Sequence, residues 1–370
     1  MRLHKNIIQI ILPGAIMFSV VSCTESQNVF PEENTEGKEI EFDLDFSSRA
    51  TNPDLLEDFS DYFEADKSCV LISQRSQSVA FDFSPESSNC YTYKYYENGD
   101  ANWDSGYNFT SENPLSWDQI QKNGQYGNGF AFGALFFPRD YIYAEKVRDD
   151  QSDVDAFYES DILGAWHKTT KDLDRLRFRL NHLMCKLQVN LYIPVYDEVK
   201  GDGFIHDDVR ATTINLRTDY QIDWGDRISE LPPIAKPDPT IVGERKNIIM
   251  YKKEVKDNII ELENLDRFNV LDMDKDIVKQ YTFEVMFPEQ TVNGDFLRFI
   301  LKNGERETNY VFNSAYLTYN SLGFALQAGA VTELNLYLPR TDNNILVLSA
   351  FVHKWNKAQT SFTITPETTE

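Results

Sequence analysis

The chain has 370 residues, 59 of them acidic and 36 basic, so its formal net charge at neutral pH is −23. This charge disfavours binding to nucleic acid or to anionic lipid, because contacts with phosphate need a basic surface. The hydrophobic fraction of 41% is ample for a packed core, and a chain of this length predicts more than one domain.

The N-terminus carries the pattern of an export signal. Arg2 and Lys5 precede residues 7–21, a mostly apolar, uncharged run of 15 residues. A membrane-spanning helix needs about 20 apolar residues, so this shorter run is interpreted as the apolar region of a signal peptide. It ends in Val20-Val21-Ser22-Cys23, which resembles a bacterial lipobox. The resemblance implies lipidation of Cys23; the alternative is an ordinary signal peptide with a chance cysteine.

The segment behind Cys23 is predicted to be a tether. Removal of residues 1–22 takes away two basic residues and no acidic ones, which leaves 34 basic against 59 acidic residues and a net charge of −25. Residues 24–38 are polar and acidic and contain proline and glycine, a composition typical of a flexible linker. Such a linker would lift the folded part of the chain off a membrane.

The first predicted strand follows the tether. Residues 40–46 alternate apolar and acidic side chains without a break, the pattern of a strand with one buried face formed by Ile40, Phe42, Leu44 and Phe46. Residues 47–53 after it are polar, with Arg49 at their centre. A strand joined only by such a segment could be cut away; the simpler interpretation is a first strand and a loop.

The rest of the chain is dominated by short runs of aromatic and β-branched residues between turn residues, which predicts an all-β protein. The predicted strands are 79–83, 91–96, 130–137, 176–180, 183–191, 211–216, 247–251, 281–287, 296–301, 332–338 and 345–352. Many short strands favour antiparallel sandwiches. The polar stretch 197–208 is the predicted boundary between an N-terminal sandwich, 39–196, and a C-terminal sandwich, 205–362.

Three cysteines lie in the predicted body of the protein, and none has a spacing typical of zinc. Cys69 and Cys90 begin two strand-like runs, so a disulfide between neighbouring strands is a candidate in an oxidising compartment. Cys185 lies in an apolar strand and is interpreted as a small buried side chain.

The sequence carries none of the common catalytic motifs, since GxSxG, HExxH, GxxxxGK[ST] and GxGxxG are all absent. Residues 272–276 resemble the start of a calcium loop, but Ile277 stands where the turn needs glycine, so no metal is predicted. His182 is interpreted as packed, and the acidic stretch 149–155 as a solvated loop. No cofactor and no enzymatic activity are predicted. Paired carboxylates for glycoside hydrolysis are left open because their spacing is spatial.

Four tryptophans are the basis of a second functional hypothesis. With nearby tyrosines they could form a platform on which sugar rings stack, because aromatic rings expose flat apolar faces. The simpler interpretation is that these large rings fill the cores of the sandwiches. The residues are Trp103, Trp117, Trp166 and Trp224.

Three segments, taken in order, resemble the fimbrillin family of pilin-type lipoproteins, which build type V pili. They are residues 176–189, which resemble a strand–histidine–strand signature; 281–290, a strand followed by proline and glutamine; and 329–338 with 345–355, paired strands that end in a tryptophan. The match covers most of the mature chain, while 149–174 and 217–245 fit less well.

The resemblance implies two tandem transthyretin-like β-sandwich domains and assembly by strand exchange. An arginine-specific protease would cut between Arg49 and Ala50, remove the strand 40–46, and leave a groove for a strand of another pilin subunit. The implied protein is a structural or accessory pilin of a fimbria, lipid-anchored at the outer membrane, that supports adhesion. The alternative is a surface glycan-binding lipoprotein. Stalk, anchor and tip roles stay open, although the apolar C-terminal strands and the polar tail 363–370 favour a subunit able to donate a strand.

Overall fold

The computed structural model describes residues 40–45, 63–64, 67–84, 86–97, 107–139, 146–169, 175–199, 201, 203–225, 232–240, 245–257, 278–317, 323–339, 345–355 and 361–364. All of them belong to one compact unit, Gly37–Glu370. Phe46, Arg49, Ala50 and the lipobox cysteine Cys23 lie outside the described residues, as does the stretch 272–276.

The described chain consists mainly of strands, which confirms the predicted all-β class. In chain order the strands are β1 Glu41–Asp45, β2 Cys69–Arg75, β3 Cys90–Glu97, β4 Tyr107–Thr110, β5 Phe130–Phe137, β6 Leu163–Thr169, β7 Arg175–Arg179, β8 Asn181–His182, β9 Cys185–Pro194, β10 Asp208–Thr213, β11 Leu216–Arg217, β12 Gln221–Asp223, β13 Ile234–Lys236, β14 Arg245–Lys246, β15 Tyr251–Lys256, β16 Val278–Phe287, β17 Gln290–Val292, β18 Asp295–Asn303, β19 Arg306–Asn313, β20 Phe324–Leu326, β21 Ala330–Tyr337, β22 Leu346–Lys354 and β23 Ser361–Ile364.

In the described part of the chain, two short helices and one 3₁₀ turn lie between the strands. Helix α1 spans Trp117–Asn123, helix α2 spans Val154–Glu159, and the 3₁₀ turn spans Ser314–Leu317. Within the described residues, no helix has the length and apolar character needed to cross a membrane.

A first sandwich buries the N-terminal strand. One layer is a six-stranded sheet in the order β4-β3-β2-β5-β6-β8, and the other is a three-stranded sheet in the order β23-β1-β7. The side chains of Phe42 and Leu44 from β1, and of Ile40 directly before it, share one core with Phe132 and Phe136 from β5. The two layers therefore enclose an apolar core to which β1 contributes directly.

A second sandwich lies beside the first. Its larger layer is a five-stranded sheet in the order β15-β16-β9-β21-β22, and its smaller layer is β10-β18-β19. Leu187 and Val189 of β9 pack in one core with Phe299 of β18. Leu135 and Phe137 of β5 belong to that same core, so the six-stranded sheet of the first sandwich is buried on both faces.

Two strand pairings cross the predicted boundary at 197–208. Strand β9 precedes this boundary but lies between β16 and β21, antiparallel to the first and parallel to the second. Strand β23 ends the described chain but pairs antiparallel with β1 at its beginning. The division into sandwiches 39–196 and 205–362 stays a prediction, and these two pairings do not follow it.

Most predicted strands coincide with observed ones, but of the strand predicted at 247–251 only Tyr251 lies in a strand, and the strand predicted at 79–83 is absent. Val79 accepts a backbone hydrogen bond from Ser76, and the Asp82 N–H donates to the Ser73 hydroxyl at 3.0 Å. Phe83 packs against Trp224 with ring centroids 5.3 Å apart. Local turn and side-chain hydrogen bonds thus replace a β-ladder, because aromatic residues can be buried in a loop as well as in a strand.

The candidate disulfide between Cys69 and Cys90 is not formed. The two cysteines lie on neighbouring strands as predicted, but Cys69 is opposite Lys94 whereas Cys90 is opposite Ser73. Four residues along a strand correspond to about 13 Å. A disulfide needs Cα atoms within about 7 Å, so the register excludes the bond. Cys185 is buried, as predicted.

Candidate strand-exchange site

Strand β1 occupies the middle of its sheet. It runs parallel to β7, with Phe42 opposite Leu176 and Leu44 opposite Phe178. On its other side it runs antiparallel to β23, with Phe42 opposite Ile364. Removal of β1 would therefore open a slot between two strands, where an incoming strand finds backbone partners on both sides.

The apolar face of β1 is fully packed. The exposed fraction is 3% for Ile40 and 0% for both Phe42 and Leu44. The Phe42 ring meets the Tyr93 ring edge to face, with centroids 4.7 Å apart. The Tyr93 hydroxyl in turn accepts a hydrogen bond of 2.7 Å from the Leu115 N–H. Phe42 thus rests on a side chain that is itself held in place.

Backbone hydrogen bonds hold both ends of the strand. The Ile40 N–H donates to the Leu115 carbonyl at 3.0 Å, just before β1 begins. At the other end the Asp45 carbonyl accepts a 2.8 Å bond from the Leu180 N–H. Because buried backbone groups need partners, these two contacts extend the paired length of the strand beyond its ladders.

The polar face of β1 carries acidic side chains opposite basic ones. Asp43 lies 3.5 Å from Arg175 Nη1 and 3.2 Å from Arg177 Nε, and Asp45 lies 3.6 Å from Arg179 Nε. The three arginines alternate with the buried Leu176 and Phe178 along β7. Each exposed pair stabilises the fold only slightly, since the median for such pairs is about 0–1 kcal/mol.

The structure brings together three of the predicted displaced residues, Ile40, Phe42 and Leu44, on one buried face. Sequence reasoning missed the second wall of the slot, because it assigned residues from 363 onward to a polar tail. The alternation of Phe362 and Ile364 with Ser361 and Thr363 was the available signal.

His182, the buried histidine of the first sandwich, is packed between two other side chains. His182 Nδ1 lies 2.6 Å from the Asp161 carboxylate, and both side chains are buried. The Trp355 ring stacks on His182 with centroids 3.4 Å apart. The interpretation of His182 as a packed residue is thereby confirmed. In the described ranges, no group of three or more His, Cys, Asp or Glu side chains is arranged to hold a metal ion.

Two of the candidate platform tryptophans, Trp117 and Trp224, pack against other rings. Trp224 stacks on Phe83, with 12° between the ring planes, and Trp117 meets Phe130 edge to face at 5.8 Å. A Cβ built on Gly133 would lie 3.1 Å from the Trp224 ring, so the bare glycine provides the space for it. These contacts fit the core interpretation rather than an open platform. Trp103 lies outside the described residues.

No protein-family model matches the chain, and no curated protein matches it either. Among solved structures it is similar to a candidate cell adhesion protein from Bacteroides uniformis, with 12% identity, a TM-score of 0.48, and coverage of 86% of this chain and 99% of that one.

It is also similar to a fimbrial protein from Bacteroides ovatus (11% identity, TM-score 0.33, 75% of this chain and 46% of that one). A third is the fimbrial anchor protein Mfa2 from Porphyromonas gingivalis (8% identity, TM-score 0.33, 87% and 99%).

Proposed function

We propose that this chain is a non-enzymatic fimbrial subunit, structural or accessory, that is exported as a lipoprotein and joins other subunits by exchange of β1. In this proposal Cys23 carries the lipid that anchors the chain at the outer membrane. A protease cuts between Arg49 and Ala50, the strand 40–46 leaves, and a strand of another subunit takes its place. The fimbria so assembled supports adhesion.

The position of β1 is the observation that carries the proposal. Its three described apolar side chains are almost completely buried. Returning each of them to water costs roughly 1.5–3 kcal/mol. An incoming strand would recover this apolar burial together with backbone hydrogen bonds to β7 and β23, so exchange can drive assembly without covalent bonds.

The sequence around the strand supplies the means of removing it. Asp45, the last residue of β1, is followed at a short distance by Arg49, within a polar segment suited to proteolysis. The N-terminal side of β1 leads only to the predicted tether and Cys23. Cleavage behind the strand would therefore separate the body from both β1 and the lipid, so the anchor would serve for delivery.

The test is to recover the chain from the surface of the cell that produces it and to determine its mass and its N-terminal residue. We expect surface material run on unheated SDS gels to contain this chain at high mass, with Ala50 as its N-terminus. A chain with Arg49→Lys keeps the charge but denies the site to an arginine-specific protease, and we expect it to stay at monomer mass with a blocked Cys23. The absence of an Ala50 terminus, or an Ala50 chain found only as monomer, would contradict the proposal.

A further inference from the structure

The row of arginines along β7 gives the slot a chemical preference. We propose that Arg175, Arg177 and Arg179 select an incoming strand that alternates apolar with acidic residues and runs parallel to β7. The inference rests on the proposed strand exchange and adds to it the kind of partner that the slot accepts.

The register places the charges in line. Along the parallel pair, position 41 lies opposite Arg175, Asp43 opposite Arg177, and Asp45 opposite Arg179. All three arginine side chains reach solvent, with exposed fractions of 40%, 75% and 60%, while Asp43 is only 17% exposed. The arginines thus form the rim of the slot, and the carboxylates lie against it.

Departure of β1 would take the carboxylates of Asp43 and Asp45 away from this rim. What remains is a row of three positive charges on a strongly acidic protein. The opposite wall, β23, has the sequence Ser-Phe-Thr-Ile and carries no charge. A strand with acidic residues at the outward positions restores the pairs, whereas basic residues there would meet like charges directly across the ladder.

The buried face places a second requirement on the incoming strand, because it determines which of the strand's side chains can point into the core. The outward carboxylates alternate with the pockets of Ile40, Phe42 and Leu44, and the Phe42 pocket is closed by the Tyr93 ring. A slip of one residue would turn every apolar side chain outward and every carboxylate into the core. The slot therefore accepts an apolar–acidic alternation whose apolar side chains face the core, and in the structure it is occupied by a strand parallel to β7.

This preference distinguishes two donors. The chain's own last described strand, β23, offers Phe362 and Ile364 but alternates them with the uncharged Ser361 and Thr363. A copy of β23 could fill apolar pockets but would bring no carboxylate to the arginine rim. The charge pattern therefore points to a donor strand on a different protein, with a sequence of the same type as β1.

The experiment uses the full chain with the recognition sequence of a specific protease inserted within 47–52, nicked after folding. Labelled peptides then compete with the resident strand: residues 38–46, the same peptide with E41K, D43K and D45K, and a peptide of residues 359–366. We expect the native peptide to be retained about tenfold better than the lysine peptide, from the loss of three pairs and the gain of like-charge contacts. We expect the 359–366 peptide to be retained less well than the native one.

Variants of the rim complete the design. In a chain with R175E, R177E and R179E the preference should invert in favour of the lysine peptide. With lysine at all three positions the preference for the native peptide should be kept. With glutamine at all three positions the preference should vanish, and this variant is used if the glutamate variant does not fold. Equal retention of all peptides, or one preference in every chain, would overturn the charge selection while leaving strand exchange intact. Failure of the native peptide to enter any folded, nicked chain would overturn the proposed exchange itself.

Discussion

Phe42 is expected to be the main apolar anchor of β1, and Phe42→Ala tests this directly. The ring is fully buried and lies edge to face against Tyr93, with centroids 4.7 Å apart. The substitution removes the ring but keeps the backbone hydrogen bonds and the ion pairs of the strand. Its effect therefore reports on the packing of one side chain.

The expected loss of unfolding free energy follows from the burial of Phe42 and from the geometry of its ring contact. Removal of a fully buried phenylalanine costs about 3–5 kcal/mol, from lost transfer energy and from the cavity that remains. About 0.5–1.5 kcal/mol of this belongs to the contact between the Phe42 and Tyr93 rings. Since a native fold is worth only about 5–15 kcal/mol, we expect Phe42→Ala to remove about a fifth or more of the free energy of unfolding.

The measurement is equilibrium unfolding in urea, followed by tryptophan fluorescence. At a slope of about 3 kcal/mol per molar urea, the loss corresponds to a midpoint shift of about 1–1.7 M. Phe351→Ala is the matched control, because it is the same chemical change on a strand where the ring is 52% exposed. We expect the control to change stability by no more than about 0.5 kcal/mol.

A Phe42→Ala shift no larger than that of Phe351→Ala would refute the reasoning. It would mean that the β1 face does not contribute to the core in solution, and the energetic case for strand exchange would fail with it. A changed slope with an unchanged midpoint would also count against the expectation, because cavity formation alters stability rather than the surface exposed on unfolding.

Three further predictions concern other parts of the molecule. The buried amide of Gln151 donates to the Met286 carbonyl at 2.7 Å and accepts from the Met286 N–H at 2.9 Å, so Gln151→Leu should cost about 2–4 kcal/mol in urea unfolding by leaving two buried backbone groups without partners. Burial raises the pKa of the Cys90 thiol to about 12, so native-state alkylation at pH 8 should be at least about tenfold slower than for a free thiol. All three body cysteines should react once the unreduced chain is unfolded, and a single reactive thiol would contradict the register of β2 and β3. Burial lowers the pKa of His206 below its ordinary value of 6.5. Just below pH 6.5 the unfolded chain therefore binds more protons than the folded chain. The stability that is present above pH 6.5 is lost as the pH falls through the folded pKa. Urea unfolding at pH 7 and pH 5.5 measures this loss, and we expect His206→Gln to make the difference in unfolding free energy between the two pH values smaller. An unchanged difference would show that other groups cause the loss.

The strands with a clear period of two were predictable, because side-chain alternation is a local property. The run 130–137 coincides with β5, and the alternation at 40–46 coincides with β1 and its buried face. The run 79–83 carries a similar composition but forms a loop. Its aromatic rings are buried by Trp224, which lies far away in sequence, so composition alone could not distinguish the two outcomes.

For the candidate site, the sequence already contained the strand that is predicted to be displaced, the arginine behind it and the cysteine that is predicted to carry the lipid. The three arginines of β7 were visible only as the polar half of an alternating strand. Their relation to Asp43 and Asp45 depends on a parallel pairing between segments about 130 residues apart in sequence. Such a pairing leaves no local mark, since any alternating strand can in principle join any sheet edge.

What was determined at the level of the sequence is therefore the class of the protein, the identity of its first strand and the polarity of each face of that strand. Tertiary structure decided that β1 lies between β7 and β23, that β9 crosses into the second sandwich, and that Cys69 and Cys90 are out of register. The physical reason is the range of the interactions. Period and capping act within a few residues, while pairing, register and the identity of a slot's walls arise only when distant strands compete to bury the same apolar surface.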